Sequence, residues 1–119
     1  MKSFAPLACI LALASATPAF AHAFLKHATP GVGSVVAAPP ASLLLAYTED
    51  LEVPFCTVTV TGPAGAQVQT ARPRPVPGEP AEIAVPVHIT APGNYKVSWH
   101  ALSVDTHKTQ GTFSFTVSQ

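Results

Sequence analysis

Asn94-Tyr95-Lys96-Val97-Ser98-Trp99-His100-Ala101 alternates polar and apolar side chains along its whole length. A period of two is the mark of a half-buried β-strand, with Tyr95, Val97, Trp99 and Ala101 on one face. Thr112-Phe113-Ser114-Phe115-Thr116-Val117 repeats the pattern and puts Phe113, Phe115 and Val117 together. A third set, Cys56, Val58 and Val60, shares a face opposite Thr57, Thr59 and Thr61. Three apolar strand faces of this kind must cover one another, so they are the predicted core.

Outward from these strands, short extended runs are separated by proline and glycine. Ala23–Thr29 ends at Pro30-Gly31, Val35–Val36 is a stub before Pro39-Pro40, and Ser42–Thr48 is a fuller strand. Phe55–Thr61 stops at Gly62-Pro63, and Gln67–Thr70 is weak. Arg72–Pro80 is proline-rich and is expected to be an extended surface loop. Ala81–Thr90 is a strand whose Pro86 points to an edge or a bulge, and Pro92-Gly93-Asn94 is a turn. No helical period follows the first twenty residues. The 13 prolines also argue against helices. Short strands with a turn signal about every ten residues predict an all-β sandwich.

The first residues are of another kind. Lys2, the apolar run Leu7–Ala16 and Ala19-Phe20-Ala21 read as a secretory signal peptide, residues 1–21, with cleavage after Ala21. One domain, residues 22–119, is then expected, about the size at which a single core can fold alone. It contains no second apolar run near the ~20 residues a membrane helix needs. The expected product is a soluble exported protein. Formal charge is +0, and Lys26, Arg72, Arg74, Lys96 and Lys108 form no stripe, so nucleic-acid binding has no electrostatic footprint. Cys9 leaves with the signal. Cys56 remains alone, and its strand parity predicts a small buried hydrophobe protected from oxidation.

Cleavage after Ala21 makes His22 the first residue of the domain. A terminal histidine carries two nitrogen donors, its α-amine and Nδ1, which close a six-membered chelate ring on one ion. The amine has a pKa of about 7.7–8.0 and yields its proton to a metal near neutral pH. Asp105-Thr106-His107 adds a carboxylate and a second imidazole; in an extended segment the two would face the same side, with Thr106 away from them. Three nitrogens and a carboxylate suit tetragonal Cu(II). Each half also has a plain alternative, a chance terminal histidine and a solvated Asp-x-His, and the residues alone leave these open.

The start His22-Ala23-Phe24-Leu25-Lys26-His27-Ala28-Thr29-Pro30 resembles that of the CopC-type periplasmic copper-binding proteins. Gly93-Asn94-Tyr95-Lys96-Val97-Ser98-Trp99, Leu102-Ser103-Val104-Asp105-Thr106-His107-Lys108 and Gly111-Thr112-Phe113-Ser114-Phe115-Thr116-Val117 are similar to that family too. The likeness covers nearly all of the domain and is weakest from Gly62 to Pro92. It implies an immunoglobulin-like Greek-key β-sandwich of about seven strands. It implies one Cu(II) ion held by His22, Asp105 and His107, with Glu49 a candidate further ligand or neighbour of the site. It also implies periplasmic copper buffering, resistance or delivery, with an inner-membrane copper transport protein as partner. Cys56 and the proline-rich edge give no push toward dimerisation, so a monomer is expected.

Two departures sharpen these expectations. The one methionine is Met1, so the methionine-rich Cu(I) site of some members is not expected. Phe24 stands at the third position of the domain, where some members carry histidine, which removes a competing mode through backbone amides. His27, His88 and His100 are expected at the surface. Two other readings compete. A copper-dependent oxidative enzyme could use a terminal-histidine brace, as copper polysaccharide monooxygenases do, but Asp105 would fill a position that oxygen needs. A metal-free immunoglobulin-like interaction module would leave His22 and Asp105-x-His107 as coincidence. The expected mechanism is ligation, not catalysis.

Overall fold

The protein is described by a computed structural model for residues 23–119; the expected signal peptide, its cleavage point and His22 lie outside the described residues. Eight strands follow in chain order: β1 (Leu25–Thr29), β2 (Val35–Val36), β3 (Ser42–Tyr47), β4 (Thr57–Thr61), β5 (Arg74–Val76), β6 (Glu79–Pro86), β7 (Gly93–Leu102) and β8 (Lys108–Val117), with one short 3-10 turn at Val53–Phe55. They form two four-stranded sheets, ordered β1-β3-β6-β5 and β2-β8-β7-β4. All pairings are antiparallel except β2 with β8. The all-β sandwich stands, with eight strands rather than about seven.

The extra strand corrects one expectation. Arg72–Pro80 is not wholly loop: β5 pairs with β6, Arg74 opposite Ala84 and Pro75 opposite Ile83. The chain reverses through Pro77-Gly78, where Gly78 has φ of 77°, a backbone that side chains with a Cβ avoid. Proline is tolerated here because β5 is the edge of its sheet, where a missing N–H breaks no interior ladder. Composition suggested loop, and pairing with β6 overrode it.

The three predicted faces do form the core. Tyr95, Val97, Trp99, Ala101, Phe113, Phe115, Val117, Cys56, Val58 and Val60 are all buried, and Leu43, Leu45, Ile83 and Val85 meet them from the other sheet. Burying a side chain such as Phe115 or Leu45 contributes about 1.5–3 kcal/mol. Tyr95 stacks on Phe115, with centroids 5.6 Å apart, and its hydroxyl donates to the Ala91 carbonyl four residues upstream. That bond resembles the tyrosine corner of Greek-key sandwiches. Tyr47 of β3 meets Trp99 of β7 edge to face at 5.1 Å, which joins the two sheets near one end. The Cys56 thiol is buried as expected; desolvation raises its pKa, a hydrogen bond with the Leu102 backbone opposes this, and the Glu52 charge adds to the raising.

Candidate metal centre

The turn between β7 and β8 presents Asp105 and His107. The two strands pair down to Leu102 opposite Lys108, and the Ser103 N–H then donates to the His107 carbonyl at 3.1 Å. Three residues close the hairpin. The Thr106 N–H donates to the Ser103 carbonyl at 2.9 Å, and Thr106 itself has φ of 71°. This is the common three-residue hairpin, a tight turn followed by a left-handed residue. Asp105-Thr106-His107 is therefore not the extended segment that its spacing suggested. The reversal still brings the two side chains together, with Asp105 Oδ2 3.2 Å from His107 Nδ1.

That separation is chemically useful. Two donors each about 2.0–2.1 Å from a first-row divalent ion, at right angles, lie about 2.9 Å apart. The Asp105 and His107 side chains keep 37 % and 46 % of their surface exposed, so an ion from solvent can reach both. The Asp105 carboxyl is held below the ordinary carboxylate range. The Ser103 hydroxyl donating to it is the main cause, desolvation opposes, and the His107 side chain and N–H add to the lowering. A depressed folded-state pKa stabilises the fold above the ordinary carboxyl pKa, and the contribution is lost as pH falls through the lowered value. At neutral pH Asp105 is an anionic donor.

Other segments converge on this turn. The Thr48 N–H donates to the Phe24 carbonyl at 2.9 Å, and the Phe24 N–H to Thr48 Oγ1 at 3.0 Å. Beyond Glu49, the Val104 N–H donates to the Asp50 carbonyl at 3.0 Å, and the Glu52 N–H to the Leu102 carbonyl at 2.9 Å. Glu49, half-buried, thus sits on a segment laced to Phe24 on one side and to Val104 on the other. From β8, Thr109 Oγ1 donates to the Ala23 carbonyl at 2.6 Å. Ala23 is fully buried. Among the described residues no three His, Cys, Asp or Glu side chains group closely enough to hold an ion, so Asp105 and His107 stand as a pair without Glu49. His22, the expected third member, lies outside the described residues. His27, His88 and His100 are exposed, as their strand positions predicted.

Two features of the turn escaped sequence reading. Ser103, which touches Asp105, was visible only as the Ser two places before it in Ser103-Val104-Asp105. Thr106 carried no signal at all, because a β-branched residue is a poor choice for a left-handed position. Thr106→Gly is accordingly expected to stabilise the metal-free protein. Left-handed backbone costs an L-residue about 1–2 kcal/mol, and glycine returns part of that through its freer unfolded chain. A net gain of about 0.5–1 kcal/mol in a urea unfolding curve is expected. A loss would mean that the Thr106 hydroxyl, which donates to the Asp105 carbonyl at 2.6 Å, outweighs the strain.

Sandwich and turn together define a small β-sandwich domain that holds a carboxylate and an imidazole side by side at one end. Comparison with known proteins narrows this. The CopC domain profile matches residues 25–118. Protein YobA of Escherichia coli K12 is 34% identical over 110 residues, covering 91% of this chain and 89% of that protein. Copper resistance protein C of Escherichia coli is 34% identical over 114 residues, covering 90% of each. The crystal structure of CopC from Methylosinus trichosporium OB3b superposes with a TM-score of 0.75 at 28% identity, covering 82% of this chain and 94% of that one. The chain belongs to the CopC family.

Proposed function

We propose that this protein is a periplasmic copper-binding protein that takes up one Cu(II) through the amine and imidazole of His22, the Asp105 carboxylate and the His107 imidazole. It does so once residues 1–21 have been removed. The observation that carries this reading is the 3.2 Å approach of Asp105 Oδ2 to His107 Nδ1, beside a β1 start tied down by Thr109. Ala23, next in the chain to His22, is buried and its carbonyl is held by Thr109, two places beyond His107. The family and the copper resistance of a named relative support the choice of metal.

The donor set favours Cu(II). Nitrogen and carboxylate donors suit the divalent ion, whereas Cu(I) prefers sulfur, and the chain's one methionine lies in the expected signal. Glu49, between Thr48 bonded to Phe24 and Asp50 bonded to Val104, is a neighbour of the site in this reading and is not counted among the ligands. The function is ligation without turnover, by a monomer that buffers copper and passes it to an inner-membrane copper transport protein.

Native mass spectrometry of the processed protein tests cleavage and stoichiometry together: a chain beginning at His22 with one copper per molecule is expected. His107→Ala should weaken Cu(II) binding by more than about tenfold, since even groups behind a ligand are worth that much. It should also change the nitrogen hyperfine pattern of the Cu(II) spin-resonance spectrum. An unchanged spectrum removes His107 from the site. Copper that cannot be passed from the loaded protein to vesicles carrying the transport protein overturns delivery and leaves buffering.

A further inference from the structure

Apart from aromatic and sulfur side chains, Ser103 is the one buried polar side chain among the described residues, with none of its surface exposed. A buried hydroxyl costs free energy unless it is hydrogen-bonded. Its side-chain contacts both belong to the turn: Asp105 Oδ1, and the His107 carbonyl at 3.3 Å. A hydroxyl has one proton to give, and Asp105 is the nearer acceptor. The same Oδ1 accepts the His107 N–H at 3.4 Å. The two carboxylate oxygens are thereby made different. Oδ1 is engaged from beneath by the hydroxyl and the backbone, while Oδ2 lies against the His107 ring.

We infer that Ser103 is a positioning residue, whose buried hydroxyl clamps Asp105 Oδ1 and so offers Oδ2 alone to the ion beside His107. The inference rests on the reading of Asp105 and His107 as copper ligands. Without the clamp the Asp105 side chain can exchange between staggered χ1 rotamers and its carboxylate torsion is broad and nearly two-fold, so either oxygen, or both, could meet the metal. Ser103 is suited to the task because it is buried at the base of the turn. Its N–H is fixed to the His107 carbonyl, and its place opposite Leu51 ties it to the segment beyond Glu49.

The test uses the processed protein and Cu(II) alone. Ser103→Ala is expected to bind Cu(II) about 10–100-fold more weakly, the usual effect of losing a group that orients a ligand. Its spin-resonance spectrum should resolve more than one copper species, and Ser103→Thr, which keeps the hydroxyl, should restore a single one. In the metal-free wild type, the Hα–Hβ couplings of Asp105 should report one rotamer, and in Ser103→Ala an average. A Ser103→Ala spectrum identical to wild type overturns the inference, and so do averaged couplings in the wild type. Should Ser103→Ala fail to fold, the wild-type couplings decide. Asp105→Ala and His107→Ala, run in parallel, separate the two levels. Undiminished affinity in both sinks the copper reading itself, whereas loss there with Ser103→Ala unaffected removes only the positioning role.

Discussion

One extra residue ahead of His22 is expected to lower the Cu(II) affinity of the processed protein by more than about a hundredfold, beyond the 10–100-fold typical of lost supporting contacts. The added residue turns the terminal amine into an amide. An amine with a pKa of about 7.7–8.0 releases its proton to a metal easily, and an amide nitrogen does not. The six-membered amine–imidazole ring is lost with it, and only a mode through a backbone amide, which must first give up its proton, is left at this end. The fold should survive, because the contacts that anchor this end belong to later residues: the Ala23 carbonyl on Thr109, and Phe24 on Thr48. Competition against a chromophoric Cu(II) chelator, with the native and extended forms side by side, gives the ratio directly. Melting temperatures of the metal-free forms should coincide. Equal copper affinities would sink the chelate and move the weight of the site onto Asp105 and His107.

Gly111→Ala is expected to be among the most damaging small substitutions in the domain. Gly111 lies on β8 directly opposite Trp99 on β7. A Cβ built at Gly111 would stand 2.6 Å from Cζ2 of the Trp99 indole, 2.9 Å from Cε2 and 3.1 Å from Nε1. The ring has little room to retreat, since Trp99 is buried and meets Tyr47 edge to face. Overpacking of this kind costs about 1–3 kcal/mol. The alanine recovers only about 0.4–1 kcal/mol by stiffening the unfolded chain. In a domain this small each lost kcal/mol lowers the melting temperature by about 4–8 °C, so a drop of roughly 5–15 °C is expected in a circular-dichroism melt. No drop would show that the indole can swing aside. Trp99 is the chain's one tryptophan, so its emission spectrum reports any displacement of the ring without further labelling.

Much of the sandwich was legible in the chain. Alternation along Tyr95–Ala101 and Phe113–Val117, and in Cys56, Val58 and Val60, predicted which side chains are buried. The same parity predicted that His88 and His100 are exposed. What failed was composition. Arg72–Pro80 reads as loop because prolines lack an N–H, yet an edge strand needs only half its backbone groups paired, and β6 supplied the partner. The pairing of Asp105 with His107 was legible in its residue types but not in its mechanism of assembly. Asp105 and His107 meet through a reversed turn with a left-handed Thr106, not through strand parity. Ser103 had no sequence signal stronger than that of any other serine.

The division has a physical reason. Parity along a strand is a property of consecutive residues, because the backbone alone sends neighbouring side chains to opposite faces. The sequence by itself therefore determined the two-faced strands, the buried faces of β4, β7 and β8, and the residue types of the proposed site. Contacts across the fold obey no such local rule. The Thr109 hydroxyl reaches the Ala23 carbonyl across 86 positions, and Thr48, Asp50 and Glu52 lace the start of β1 to the far hairpin. Only the stacking of the two sheets decides those meetings, and with them the orientation of Asp105 over the buried Ser103 hydroxyl.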